Sequence, residues 1–280
     1  MLRSIRIPGR CSRQCRNSRE QGEEHMEGTP LLEAKGLKKV FEGPNGRMTA
    51  VDGVHFQINT GECYGLIGES GSGKSTVAHM IAGLLDATEG EIAFDSKRLP
   101  GKACREGFRL RRQMQMIFQN PLSSFSPKMT LLYSICEGLR YRFSLSRHDM
   151  EQRAYEMMDM VGLKREYARR YCGELSGGEC QRAAIARAVI SRPKLLICDE
   201  STSALDVSVQ AQIMGLLARL KKELGLSYLF ISHDIALVGS ISDKLAVMKD
   251  GRIVEEGAPE RVIWNPGHPY TSSLVKSANL

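Results

Sequence analysis

The chain has 280 residues, of which 42% are hydrophobic and 25% charged, and a formal net charge of +7. That length suits one or two domains with a substantial core, and the composition is that of a globular protein rather than a disordered or fibrous one. No run of 18 apolar residues occurs, which excludes a membrane-spanning helix, and the charge excess is too small and scattered for a nucleic-acid groove.

Residues 1–25 hold six arginines against three glutamates, +3 of the total, leaving +4 for the rest. No apolar stretch follows the arginines, so this is not a secretory signal. Residues 1–30 are read as a basic, disordered extension of inert role, either an arm of the protein or an upstream extension with Met26 as the natural start. Of the eight cysteines, several lie inside apolar segments, where a thiol acts as a small hydrophobe. None forms a CxxC pair, and Cys11-x3-Cys15 lacks a second ligand pair at metal-site spacing; the pattern suits a reducing cytoplasm.

Short strands are predicted at 31–35 and 38–41, then a turn at Pro44-Asn45-Gly46 and a strand at 50–58. A compact apolar strand, 63–67, ends at a glycine-rich loop, and 76–85 carries apolar residues at helical spacing. Further strands are predicted at 91–94 and 114–118. Pro121 and Pro127 mark a loop, and residues 130–170 switch to helical periodicity, as expected of a helical insertion between two halves of an α/β core. The core resumes with a strand at 195–199, a helix near 209–224 and a strand at 228–232. Alternating strands and helices favour a mainly parallel sheet. The last thirty residues read as a hairpin turning at Gly251 and a proline-punctuated tail.

Three segments carry chemistry. Gly68-Glu69-Ser70-Gly71-Ser72-Gly73-Lys74-Ser75 fits G-x-x-x-x-G-K-[ST] and runs on to Thr76, with a strand before it and a helix after it. Glycines let backbone N–H groups curl around phosphate oxygens at a positive helix N-terminus, Lys74 reaches the β- and γ-phosphates, and Ser75 ligates Mg²⁺. The strand at 195–199 ends in Asp199-Glu200, at the edge of the sheet that carries the phosphate loop. There Asp199 can hold Mg²⁺ and Glu200 can orient or deprotonate an attacking water; in isolation the same pair is merely a solvated acidic turn. Leu175-Ser176-Gly177-Gly178-Glu179, followed by Gln181-Arg182, is a second glycine-rich helix start, over a hundred residues from the first.

Together these segments resemble the motifs of ATP-binding cassette (ABC) proteins, from about Leu31 to the C-terminus. The resemblance makes 175–179 the family signature, Gln119 the Q-loop glutamine and a further Mg²⁺ ligand, Ser203-Ala204-Leu205-Asp206 the D-loop and His233 the switch histidine. Phe41 falls where the family sets an aromatic against adenine, although core packing explains a lone aromatic nearly as well. Two departures are visible: Ser201 replaces the usual proline after the glutamate, and Cys198 takes an aliphatic position. Neither removes a catalytic group.

The implied fold is α/β, a P-loop NTPase ABC cassette with a mainly parallel core sheet, an antiparallel β subdomain and a helical subdomain. Its expected limits are 31–265, with the helical part at about 120–190 and a family tail at 266–280. The implied ligands are ATP and Mg²⁺. In the family two cassettes sandwich two nucleotides head to tail, so Ser176, Gly177 and Gly178 are expected to meet ATP held by a partner's phosphate loop. The implied partners are a second ABC ATPase subunit (a distinct homologue or a second copy), two permease subunits and, indirectly, an extracytoplasmic solute-binding protein. No nucleic acid is expected, and the site of action is the cytoplasmic face of the cell membrane.

The segment 111–128 and the tail Asn265-Pro266-Gly267-His268-Pro269-Tyr270-Thr271 look like those of peptide and nickel importers, nearer the F-type ATPase of oligopeptide and dipeptide systems than the D-type. Peptide import is the implied activity, with nickel or another small solute behind it and a soluble ATPase of ribosomes or DNA further back. His268 reads as a polar turn residue before proline, not a metal ligand.

Overall fold

The computed structural model describes residues 29–43, 46–100, 104–140, 145–200 and 206–278. In chain order its strands and helices are β1 (Leu32–Gly43), β2 (Gly46–Ile58), β3 (Cys63–Ile67), α1 (Lys74–Ala82), β4 (Glu89–Phe94), β5 (Lys97–Arg98), α2 (Arg105–Arg111) and β6 (Met114–Ile117). There follow α3 (Leu131–Arg140), α4 (Arg147–Met160), α5 (Gly177–Val189), β7 (Leu195–Asp199), α6 (Val207–Leu224) and β8 (Ser227–Ser232). The chain closes with α7 (Ile235–Ile241), β9 (Lys244–Lys249), β10 (Arg252–Gly257), α8 (Pro259–Trp264) and α9 (Pro269–Ser277). The basic arm with Cys11 and Cys15, the Pro44-Asn45 half of the first turn, and Ser201 through Leu205 lie outside the described residues.

The strands form two sheets. An antiparallel one runs β2-β1-β4-β5, and a six-stranded one runs β10-β9-β3-β8-β7-β6, parallel except at its β10 edge. The two short strands expected at 31–41 are a single strand, whose register on β2 shifts at Ala34/Leu37 and Leu37/Lys39. Such bulges bend a strand without ending it.

Alternation along the buried strands distributes their side chains between two cores. Cys63 and Ile67, Leu196 and Cys198, and Tyr228 and Phe230 face one cluster, shared with α3, α4 and α5. Tyr64 and Leu66, Leu195 and Ile197, and Leu229 and Ile231 face the other, beneath α1 and the antiparallel sheet. The parallel sheet is thus covered on both faces, as its near-continuous apolar strands require.

The tail is more regular than its prolines suggested. Pro259 and Pro269 each open a helix, where the missing N–H is no loss. His268 caps α9, its Nδ1 accepting from the Tyr270 N–H at 3.1 Å. Helix α7, which periodicity did not reveal, is capped by the Asp234 carboxylate on the Leu237 N–H at 3.0 Å.

Candidate nucleotide site

Register brings the chemistry-bearing segments together. Ile67 pairs with Ser232, Asp199 with Ile231, and Ile117 with Cys198. The carboxyl ends of β3, β8, β7 and β6 therefore line one edge, where the phosphate loop, His233, Glu200 and Gln119 emerge. Ligands bind in this crevice of open α/β sheets.

The phosphate loop leaves β3 at Gly68 and enters α1 at Lys74. Two glycines are obligatory. Gly68 (φ 154°) and Gly73 (φ 106°) lie in the left-handed range, and a Cβ on either would overlap a backbone oxygen, that of Met248 or Ala50. The loop is thus pressed against β9 and β2, and the Gly251 N–H donates to the Ser72 carbonyl at 3.0 Å. No side chain caps α1. Among the described residues the N–H groups of Ser70, Gly71, Gly73 and Lys74 have no protein acceptor. Such a nest of amides at a helix start fits the phosphates of a nucleotide.

Lys74 is buried, and its ammonium lies 2.8 Å from the carbonyl oxygens of both Gly68 and Glu69, with the Ser72 hydroxyl at 3.4 Å. Burial pulls its pKa down, opposed by the carboxylates of Glu200, Asp199 and Glu69. Thr76 is half-buried in the first turn of α1. Ser75 donates to Asp199 Oδ1 at 3.0 Å. Burial raises the Asp199 pKa, and the Ser75 hydrogen bond opposes it.

Glu200 follows Asp199 with φ 45°, a conformation uncommon for a residue with a side chain, fixed by its N–H on the Ile231 carbonyl at 2.9 Å. This turn swings the second carboxylate away from the first. Gln119 Nε2 donates to Glu200 Oε2 at 2.7 Å, and His233 Nδ1 stands 3.5 Å from Glu200 Oε1. Hard oxygens from Ser75, Asp199 and Gln119 fit Mg²⁺, which takes few protein ligands and keeps water and phosphate for the rest. Among the described residues no cluster of three or more His, Cys, Asp or Glu could cage a metal alone.

The signature occupies a different place. Ser176 caps α5 by accepting from the Glu179 N–H at 3.3 Å, and Glu179 Oε2 returns to the Ser176 N–H at 2.9 Å, a capping box. Hydrogen bonds from the Ser176 N–H and from its hydroxyl, at 2.8 Å, hold the Glu179 carboxyl below its usual range. Leu175, Gly177 and Gly178 complete a surface on which Ser176 and Gly177 are exposed. Among the described residues none of 175–179 hydrogen-bonds to 68–76. Asp206 caps α6 on the Val209 N–H at 3.0 Å, while Ser203, Ala204 and Leu205 lie outside the described residues. Phe41 is exposed on β1 with Lys39 Nζ 5.3 Å from its ring centroid, which removes core packing as its explanation.

Two contacts went unread in the sequence. Arg187 of α5 donates to the Ser124 carbonyl and hydroxyl at 2.5 and 2.7 Å and lies over Phe125, tying the signature helix to the segment after Gln119. A lone arginine in the apolar run 183–189 was the available signal. Tyr270 accepts from the Glu69 N–H at 3.1 Å, a contact 201 residues long that no local pattern shows.

Known proteins agree with this geometry. The ABC transporter family model matches residues 51–203, from β2 past Glu200. The chain is 45% identical to the oligopeptide transport ATP-binding protein OppF of Bacillus subtilis, over 89% of this chain and 83% of the relative. It is 49% identical to OppF of Salmonella typhimurium, over 88% and 77%. Among solved structures, a dimeric ATP-binding cassette in a post-hydrolysis state, bound to ADP and Pi, superimposes with a TM-score of 0.75 at 30% identity, covering 82% of this chain and 99% of that one. Family motifs, sheet order and this likeness agree: the chain belongs to the ABC transporter family, as one of its ATP-hydrolysing cassettes.

Proposed function

We propose that this chain is the ATPase of a peptide importer and that it works as half of a pair. The carrying observation is the cluster of Ser75, Asp199, Glu200, Gln119 and His233, drawn from four strand ends into hydrogen-bond reach. Lys74 and the loop amides would bind the phosphates, Thr76 would complete the loop and Phe41 would face the adenine. Ser75, Asp199 and Gln119 would hold Mg²⁺, which supplies positive charge against the phosphates.

Glu200 is the base. Its carboxylate is aimed by Gln119 on one oxygen and His233 on the other, so a water donating to it is oriented by the same network. The left-handed turn at Glu200 serves this aim, since an extended residue there would direct the carboxylate elsewhere. Ser176, Gly177 and Gly178, exposed at a helix start, would bind the nucleotide of a second cassette, with the D-loop at the seam. That cassette is a distinct homologue or another copy. Residues 120–190 form the lever: Arg187 couples the signature helix to the Gln119 segment, so movement of one moves the other.

Among the described residues no helix is long and apolar enough to cross a membrane. In this reading a permease pair supplies the path and this subunit lies against its cytoplasmic side, as its likeness to transport ATP-binding proteins supports. The likeness to oligopeptide transport subunits supports peptides as cargo. A solute-binding protein outside the membrane would select them. An amino-acid auxotroph lacking this chain should fail to grow on a peptide source of that amino acid. Wild type should restore growth and Glu200→Gln should not. Growth without the chain, or rescue by Glu200→Gln, would overturn the proposal.

A further inference from the structure

The proline-punctuated tail has no part in the nucleotide chemistry described so far, yet it reaches the phosphate loop. Its path is fixed at three points. Glu255 on β10 accepts from the Gly267 N–H at 2.7 Å and the His268 N–H at 3.0 Å, pinning the turn before α9 to the sheet edge. His268 Nδ1 then caps α9, and Pro269 sets its first residue. Thr271 and Val275 bury one face of that helix.

Tyr270 is thereby held with its hydroxyl 3.1 Å from the Glu69 N–H and its ring 4.9 Å from Lys249 Nζ. The Glu69 amide opens the nest that continues through Ser70, Gly71, Gly73 and Lys74. Those later amides have no protein acceptor among the described residues, whereas the first is tied to the phenol. The Glu69 carbonyl, on the next peptide unit, receives the Lys74 ammonium at 2.8 Å. A shift of residue 69 would therefore displace both an end of the amide nest and a partner of the lysine.

We propose that α9 belongs to the nucleotide site, with Tyr270 a positioning residue that fixes the first turn of the phosphate loop from behind. His-Pro-Tyr is then one device: histidine caps, proline starts the helix, and tyrosine reaches the loop. Tyr270 touches no reacting atom. Its effect falls on nucleotide affinity, because an unanchored loop must be ordered again each time nucleotide binds. This inference rests on the reading of 68–76 as the ATP loop.

The test is equilibrium binding of Mg²⁺·ATP to the full-length chain, with KM and kcat measured in the assembled transporter. Tyr270→Phe keeps the ring and its packing but removes the acceptor. It should weaken ATP binding roughly 2- to 10-fold, the value of one hydrogen bond, and raise KM without lowering kcat. Ser272→Ala, which removes a hydroxyl within the same helix, should change neither. Unaltered affinity and KM in Tyr270→Phe would overturn the inference, even with a lowered Tm, since that is what a merely packed helix predicts. A wild-type chain that fails to bind ATP, or a Lys74→Ala variant that binds it equally well, would instead remove the nucleotide reading and this inference with it.

Discussion

The two glycine-rich helix starts differ in how they meet their own N-termini. Helix α1 begins without a side-chain cap, the N–H groups of Ser70, Gly71, Gly73 and Lys74 lacking protein acceptors among the described residues and its lysine folded onto the loop's carbonyl oxygens. Helix α5 begins with a complete capping box, and its serine is exposed. The first is a cradle finished by the rest of the chain, with walls from β2, β9, the Gly251 turn and the tail. The second is stable by itself and faces outward. The capping box takes up the Ser176 and Glu179 N–H groups, so α5 can wait on a surface, while the Gly177 and Gly178 N–H groups, without protein acceptors among the described residues, stay open to an anion; α1 leaves more of its loop open and gains most from one.

That contrast can be broken at either end, and the largest effect is expected where the two sites combine. Glu200→Gln removes the proposed base and should reduce ATP turnover in the assembled transporter about 10²- to 10⁴-fold while leaving ATP binding to the isolated chain intact. Turnover near wild type would place the base elsewhere.

Next in size is a pair of variants that separates the two helix starts. Lys74→Ala deletes charge-assisted hydrogen bonds and should weaken ATP binding to the isolated chain roughly 10- to 150-fold. Gly177→Asp sets a like charge where a partner's phosphate would lie. It should leave that binding unchanged and abolish turnover only in the assembly. Equal loss of binding in both would mean that the two sites are not separate within one chain.

Smaller is the cost of the cap itself. Ser176→Ala should destabilise the chain by about 1 kcal/mol, measured by chemical denaturation, because the Glu179 N–H loses its acceptor. No change would show that Glu179 and water suffice.

The smallest expected effect concerns burial at the proposed Mg²⁺ site. The folded pKa of Asp199 is raised, so its protonated form favours folding and its charged form costs stability. That penalty is absent below the unfolded carboxyl value, about 3.9, and is complete once pH passes the raised folded value. Asp199→Asn, which keeps an acceptor for Ser75, should therefore match wild-type stability in acid and exceed it slightly near neutral pH, without Mg²⁺. A variant less stable than wild type at neutral pH would refute this assignment.

Much of the core was legible in advance. The strands 63–67 and 195–199 were read to the residue, because short apolar runs bounded by glycine, proline or paired acids have few other solutions. The helix of the phosphate loop starts two residues before the predicted 76, since Lys74 and Ser75 are polar and only the folded loop buries Lys74. Helix α7 leaves no sequence signal because seven residues give periodicity too little length to register. The tail helices are hidden by their prolines, which read as interruptions along the chain but at the first helical position are a start.

The sequence by itself determined the local patterns from which the site is proposed. A phosphate loop, an acidic strand end and a capped glycine-rich turn are local patterns, each held within fewer than ten residues. It did not determine their neighbours. Parallel register set Gln119 and His233 on the two oxygens of Glu200 across 81 and 33 positions, and the tail brought Tyr270 to Glu69 across 201. Those choices belong to the tertiary structure, because nothing in a local pattern records which strands pair or which terminus returns to cover a loop.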